Sequence, residues 1–338
     1  MPKIEFEEAT STFLLTTDNG EVVPYRYYPD SKNTWDGLKD DNFEVVLLNN
    51  PFLHREMDVF ELKFDGSNER GGFLFPMALL ESEEPEGKQL LSYMFVAYRV
   101  LLSRVKGELN GVLSDSFGDA FVLVVHKSTV PGFSVTDYLL SLASYGFYIY
   151  QGGIKNKYPS LQAIQEHTKT IRLTKNEKDN TGIGYVKGLV EKRLCTASDF
   201  LTRFILVYQV VELYISEIHD KLLDEAIEKY KQNQISRNDF GEELKNISRE
   251  GYQIEQLMKG FEEEVECVNY RRDVMGLFND VGYEPKNESL PTLLYALRNQ
   301  IFHNYEKFVG HEAALIQVIF SFERVILKVL SKKLIIEA

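Results

Sequence analysis

A chain of 338 residues has room for two domains of ordinary size, and 44% apolar with 26% charged residues is normal for a soluble globular protein. The net charge of −13 excludes a protein that coats nucleic acid non-specifically, because phosphate contacts need Lys and Arg. No apolar run approaches the roughly 18 residues of a membrane helix, and the acidic start MPKIEFEEAT has no signal-peptide stretch.

The expectation is a cytoplasmic protein with no membrane association. Cys195 and Cys267 stand in no metal-ligand spacing and fit a reducing compartment. The acidity is uneven: residues 1–160 carry 14 basic and 23 acidic side chains, and residues 161–338 carry 24 and 28. From Pro291 onward there are six basic and four acidic residues, so a local cationic site near the C-terminus is compatible with the overall charge.

Residues 1–160 read as a mixed α/β domain. Short β-rich runs recur at Thr12–Leu15, Phe43–Leu48, Val59–Phe64 and Phe121–Val125. Turn chemistry separates them, at Asp18-Asn19-Gly20, Asn49-Asn50-Pro51, Asp65-Gly66 and Pro131-Gly132. Gln89–Val105 has helical spacing, with Leu90, Met94, Ala97, Leu101 and Val105 on one side, and Val135–Ser144 is a second, shorter helix. Gln151-Gly152-Gly153 ends the region, and no internal repeat is present.

Residues 161–197 read as a linker region, with the polar stretch Thr174–Gly188 as a loop. Its Gly182-Ile183-Gly184 resembles a fragment of a phosphate-binding loop, but the third glycine is missing and plain flexibility is the better reading. Residues 198–338 read as helical. Ser198 is the expected N-cap of a long helix towards Lys231, with a stripe of Leu201, Phe204, Tyr208, Val211, Ile215, Ile218 and Leu222. Ile254–Glu266 is expected as a second, acidic helix, and Arg271–Phe278 extends the region. Ser289 before Pro291 starts a third helix carrying Leu294, Leu297, Ile301, Tyr305 and Phe308, which Gly310 breaks. A final helix carries Leu315, Val318, Phe322, Val325 and Val329. One apolar face per helix predicts an antiparallel bundle.

The chemically informative stretch is Leu297-Arg298-Asn299-Gln300-Ile301-Phe302-His303-Asn304-Tyr305. Helical spacing puts Asn299, His303 and Glu306 on one face, away from the Leu297–Ile301–Tyr305 stripe, with Arg298 at its edge. Histidine moves protons near neutral pH, and arginine stays charged and can hold two phosphate oxygens as charge builds. These groups suit cleavage of an RNA phosphodiester by the substrate's own 2′-hydroxyl, which leaves a 2′,3′-cyclic phosphate and needs no metal or cofactor. By spacing alone the same pair also fits an ordinary solvated face.

The segment resembles the signature of the HEPN superfamily, an arginine followed after four to six residues by a histidine, commonly with a polar residue after the arginine. Arg298, Asn299 and His303 match it, and Tyr305 matches the Arg-x4-His-x-Tyr variant of small HEPN toxins paired with minimal nucleotidyltransferases. Arg203–Glu212 is similar to the first long helix of several HEPN proteins, and a signature helix followed by a closing apolar helix is the family's order. The resemblance covers Ser198–Ile335. It implies an all-α HEPN-like bundle, which with the patterning of residues 1–160 makes the expected fold an α+β N-terminal domain followed by that bundle, with Arg298 and His303 catalytic and Asn299 supporting them. It also implies a homodimer through the helical domain and an RNA substrate. A role in prokaryotic defence follows, as toxin or abortive-infection protein, with a regulatory partner or antitoxin. Tyr305 is expected in core packing, with modification as the minor reading, and Gln209 and Glu212 in buried helix contacts. The stretch between the first and third helices, with Glu262-Glu263-Glu264, departs from the family and is expected to gate the cleft, autoinhibit or join the dimer contact.

Two alternatives remain open. One is a HEPN-fold binding or dimerisation module without turnover. The other is a metal-dependent nuclease in the N-terminal half: Glu61 and Lys63 on a strand, with Asp58, Asp30 and Asp41 before them, resemble a PD-(D/E)xK site. The plain reading of that strand is one buried and one solvated face. His54, His126, His167, His219 and His311 form no metal-binding spacing. A sensing or target-binding role suits the N-terminal domain.

Overall fold

The computed structural model describes residues 40–50, 58–64, 66–81, 88–105, 113–152, 169–175, 181–197 and 199–336, and three short strands near the N-terminus. The chain divides into two compact units, Met1–Lys175 and Asn176–Ala338.

In the first unit, β1 (Lys3–Glu7), β2 (Thr12–Thr16) and β3 (Val22–Tyr25) form an antiparallel three-stranded sheet. The main sheet has six strands: β4 (Phe43–Asn49), β5 (Phe60–Phe64), β6 (Arg70–Pro76), β7 (Phe121–His126), β8 (Tyr148–Ile149) and β9 (Thr170–Leu173). Their order is β8-β4-β7-β6-β5-β9, antiparallel except for the parallel pair β5–β9. β7 lies between β4 and β6 and buries both of its faces, which is why its sequence FVLVVH is an unbroken apolar run rather than an alternating one.

Alternation sorts the side chains into two cores. Val45, Phe73, Phe75, Val122 and Val124 face α1 (Lys88–Arg104), which brings Leu90, Met94, Ala97 and Leu101. Leu62, Leu74, Leu123, Val125, Ile171 and Leu173 face the other way, against Tyr138, Leu142 and Phe147. Each such buried side chain contributes about 1.5–3 kcal/mol. A short helix, α2 (Leu113–Phe117), precedes β7. The expected helix over Val135–Ser144 is split into a 3-10 turn, Val135–Tyr138, and α3 (Leu139–Ser144).

β6 was not legible as a strand because RGGFLFP opens on two glycines and ends on proline. The packing explains the glycines: a Cβ on Gly72 would lie 2.2 Å from the Val124 carbonyl oxygen, and one on Gly71 would lie 2.4 Å from the Phe64 ring.

The expected linker, 161–197, is instead divided between the units. Thr170–Leu173 is strand β9, and 181–194 is helical: α4 (Thr181–Leu189) continues into a π turn, Val190–Leu194. Gly182-Ile183-Gly184 therefore lies within a helix and not in a phosphate-binding loop.

The second unit is helical: α5 (Phe200–Lys231), α6 (Arg237–Ile247), α7 (Glu250–Met258), α8 (Val265–Asp280), α9 (Leu290–His303) and α10 (Glu312–Ile336). The cap of α5 is Asp199, whose carboxylate accepts the Thr202 backbone N–H at 2.8 Å. Ser198, the cap expected from sequence, lies outside the described residues. Ile254–Glu266 is not one helix: Gly260, at φ +86°, ends α7 and turns the chain into α8.

α10 packs on α8 and α5, and α7 packs on both α5 and α9. The stretch between the first and third long helices is thus built into the bundle. Glu262–Glu264 forms the α7–α8 connection, where the Glu262 Oε2 accepts the Gly260 N–H at 3.0 Å. At the centre, Arg203 makes a two-pronged bond to Glu323, at 2.9 and 2.6 Å, and donates to the Leu194 carbonyl at 2.5 Å. The pair is buried, with side chains 1% and 2% exposed, and ties α5, α10 and the π turn together. No described helix is long and apolar enough to cross a membrane.

Candidate active site

α9 begins at Ser289-Leu290-Pro291, where the fixed φ of proline suits a first turn. Its inward face is Leu290, Leu293, Leu294, Leu297 and Ile301, all buried. The helix ends at His303, and Asn304, at φ −140°, leads into a 3-10 turn, Tyr305–Phe308. The ending is earlier than the sequence stripe implies, and it changes two placements. Glu306 leaves the face shared by Asn299 and His303. Tyr305 leaves the apolar stripe and stands 36% exposed, against the expectation of core packing, whereas Phe308 is buried.

The last turns of α9 therefore carry Arg298, Asn299 and His303 together. His303 is exposed at the helix end, and Arg298 and Asn299 are half-buried. Arg298 Nη1 donates to the Asn299 Oδ1 at 3.0 Å, so the expected supporting group does contact the arginine. The guanidinium carbon lies 5.2 Å from the centre of the Phe302 ring and 5.9 Å from that of Tyr208 on α5. Arginine over aromatic faces is attracted by the ring quadrupole and held in a defined plane. The Arg298 Nε is buried without a hydrogen-bond partner, and no carboxylate forms an ion pair with Arg298 among the described residues.

Behind this arginine stands a feature that sequence reasoning missed. Tyr208 is buried, stacks on Phe204 and Phe322, and donates its phenol to the Glu250 Oε1 at 2.6 Å. Burial pushes the Tyr208 phenol far above its ordinary range, Glu250 adds to this, and the Arg298 charge opposes it. Tyr208 carries the helical stripe and reads as core from its spacing. Glu250 has no local signal at all, because only the packing of α7 on α5 brings it there.

Gln209 and Glu212 are exposed on α5, not buried in helix contacts as expected; the Gln209 Oε1 accepts the Tyr185 hydroxyl at 3.3 Å. Both cysteines are buried: burial first, then neighbouring Glu266, pushes the Cys267 thiol up to about 12, and burial raises Cys195 as well, so thiolate formation is disfavoured at both.

In the first unit, Glu61 and Lys63 share the solvated side of β5, and Asp58 precedes it. Glu61 pairs with Arg70 across the strands at 2.9 Å. Asp41 lies in the 3-10 turn before β4, and Asp30 lies outside the described residues. Among the described residues no three His, Cys, Asp or Glu side chains gather as a metal site requires.

Comparison of the chain with models of known families, with curated proteins and with solved structures finds no match.

Proposed function

We propose that the second unit is a HEPN-type endoribonuclease whose active site is Arg298, Asn299 and His303. The observation that carries this reading is the end of α9. An exposed imidazole and an arginine with no carboxylate partner among the described residues stand within one and a half turns of each other, and Asn299 holds the arginine from the side. The chemistry follows from these groups. The substrate's 2′-oxygen forms a bond to phosphorus while the bond from phosphorus to the 5′-oxygen breaks. The products are a 2′,3′-cyclic phosphate and a 5′-hydroxyl. Arg298 binds the phosphate oxygens as charge builds on them. His303 takes the proton from the 2′-hydroxyl or gives one to the leaving 5′-oxygen.

One imidazole cannot do both in a single step. A homodimer that brings two copies of the site to one cleft would divide the two proton transfers between two His303 side chains. The half-exposed Phe302 and Tyr305 beside the site suit such a contact, as apolar surface does at interfaces. A role in defence, with a regulatory partner that keeps the nuclease silent, fits an enzyme of this kind in a cell full of its own RNA.

The test is cleavage of RNA by purified protein in the presence of EDTA. Wild type is expected to release 2′,3′-cyclic phosphate ends, and Arg298→Ala and His303→Ala each to lose at least about 100-fold in rate. Equal rates in all three proteins would remove the assignment.

A further inference from the structure

Tyr208 contacts both an acid, Glu250, and the cation of the proposed site, Arg298. Glu250 is the first residue of α7, a helix that packs against both α5, which carries Tyr208, and α9, which carries Arg298. The phenol donates to Glu250 at 2.6 Å, and the ring of the same residue lies 5.9 Å from the Arg298 guanidinium carbon. A half-buried carboxylate needs a partner, and the strongest one on offer to such a group is a guanidinium. Yet Glu250 is bonded to Tyr208, and Arg298 is bonded to Asn299.

We infer that Tyr208 is a positioning residue that restrains Glu250, keeping the carboxylate off Arg298 so that the guanidinium stays open to a phosphate. The inference rests on the ribonuclease reading of Arg298. An arginine paired with Glu250 would present a neutral pair to RNA, and each phosphate bound would first have to displace a carboxylate. The Phe302 ring also lies 5.2 Å from the guanidinium carbon, and Nη1 donates to Asn299. Glu212 is one turn further along α5 and also acts on Tyr208, but it is exposed, and solvent weakens its pull on a neighbouring charge. Arg249 precedes Glu250, is exposed, and is the rival partner for a released carboxylate.

The experiment uses the full chain and a fluorescent 2′-O-methyl RNA oligonucleotide, which binds but lacks the nucleophile. Tyr208→Phe keeps the ring and removes the restraint, so binding is expected to weaken about tenfold. Adding Glu250→Gln removes the released charge and should return affinity to within about twofold of wild type. A double variant as weak as Tyr208→Phe overturns the inference, because the loss would then come from the hydroxyl itself or from packing. The side-chain Nε–Hε resonance of Arg298, identified by its loss in Arg298→Lys, reports the pairing without RNA. It should move in Tyr208→Phe and move back in the double variant. An unmoved resonance overturns the restraint whatever the binding data show. If Arg298→Ala leaves RNA affinity unchanged, it is the ribonuclease reading that fails, and the resonance alone then judges the restraint.

Discussion

At the scale of single residues, buried charge decides more than exposed charge does. Arg203 and Glu323 illustrate this. Both lie in the core of the helical unit, and their mutual attraction offsets the cost of taking two ions out of water only while both are present. Glu323→Gln leaves a buried guanidinium without its counter-charge and is expected to cost about 3–5 kcal/mol, read as a lower urea midpoint. Arg203→Met with Glu323→Leu should recover most of that loss, since an apolar pair of similar volume needs no solvation. A single variant with the wild-type midpoint would show that the pair is dispensable. Arg298 differs in kind: its guanidinium is anchored by an amide and two rings, which hold direction without cancelling charge.

At the scale of elements, strand β6 is where local propensity and packing disagree most. Its glycines are poor strand formers, but Val124 and Phe64 occupy the space where side chains would stand. Gly72→Ala is expected to destabilise the protein by at least about 2 kcal/mol, because the clash is with backbone that cannot move aside. Gly276→Ala, on an exposed position of α8 with open space around it, should stabilise by about 0.5–1 kcal/mol by the gain in helix propensity. Thermal unfolding of the two variants checks both signs. The same contrast explains α9: the apolar period runs on through Tyr305 and Phe308, yet the helix stops at His303 and a 3-10 turn carries Phe308 inward by another route.

At the scale of the whole molecule, net charge opposes the proposed substrate. A chain at −13 binds RNA through a small cationic site or not at all. RNA affinity should therefore fall only gently with salt, with a log–log slope smaller in magnitude than about 2, since each phosphate neutralised on a single strand contributes about −0.7. A slope several times steeper, from titrations at a series of salt concentrations, would mean an extended basic surface and a different mode of binding.

Sequence by itself determined the class of each half of the chain, three strands of the main sheet and one of the small N-terminal sheet, one long helix on the main sheet, and the apolar faces of α5, α9 and α10. All of these rest on hydrophobic period, which is a local property. It also put Arg298, Asn299 and His303 near one another, because one helix holds them. Tertiary structure alone decided what lies far apart in the chain. β9 joins the sheet from a stretch that reads as linker, since a four-residue strand at the edge shows little alternation. Glu61 meets Arg70, Arg203 meets Glu323, and Tyr208 meets Glu250, each pair chosen by the packing of two elements rather than by spacing. A hydrogen-bond partner is selected by where helices cross, and no single helix encodes its crossing.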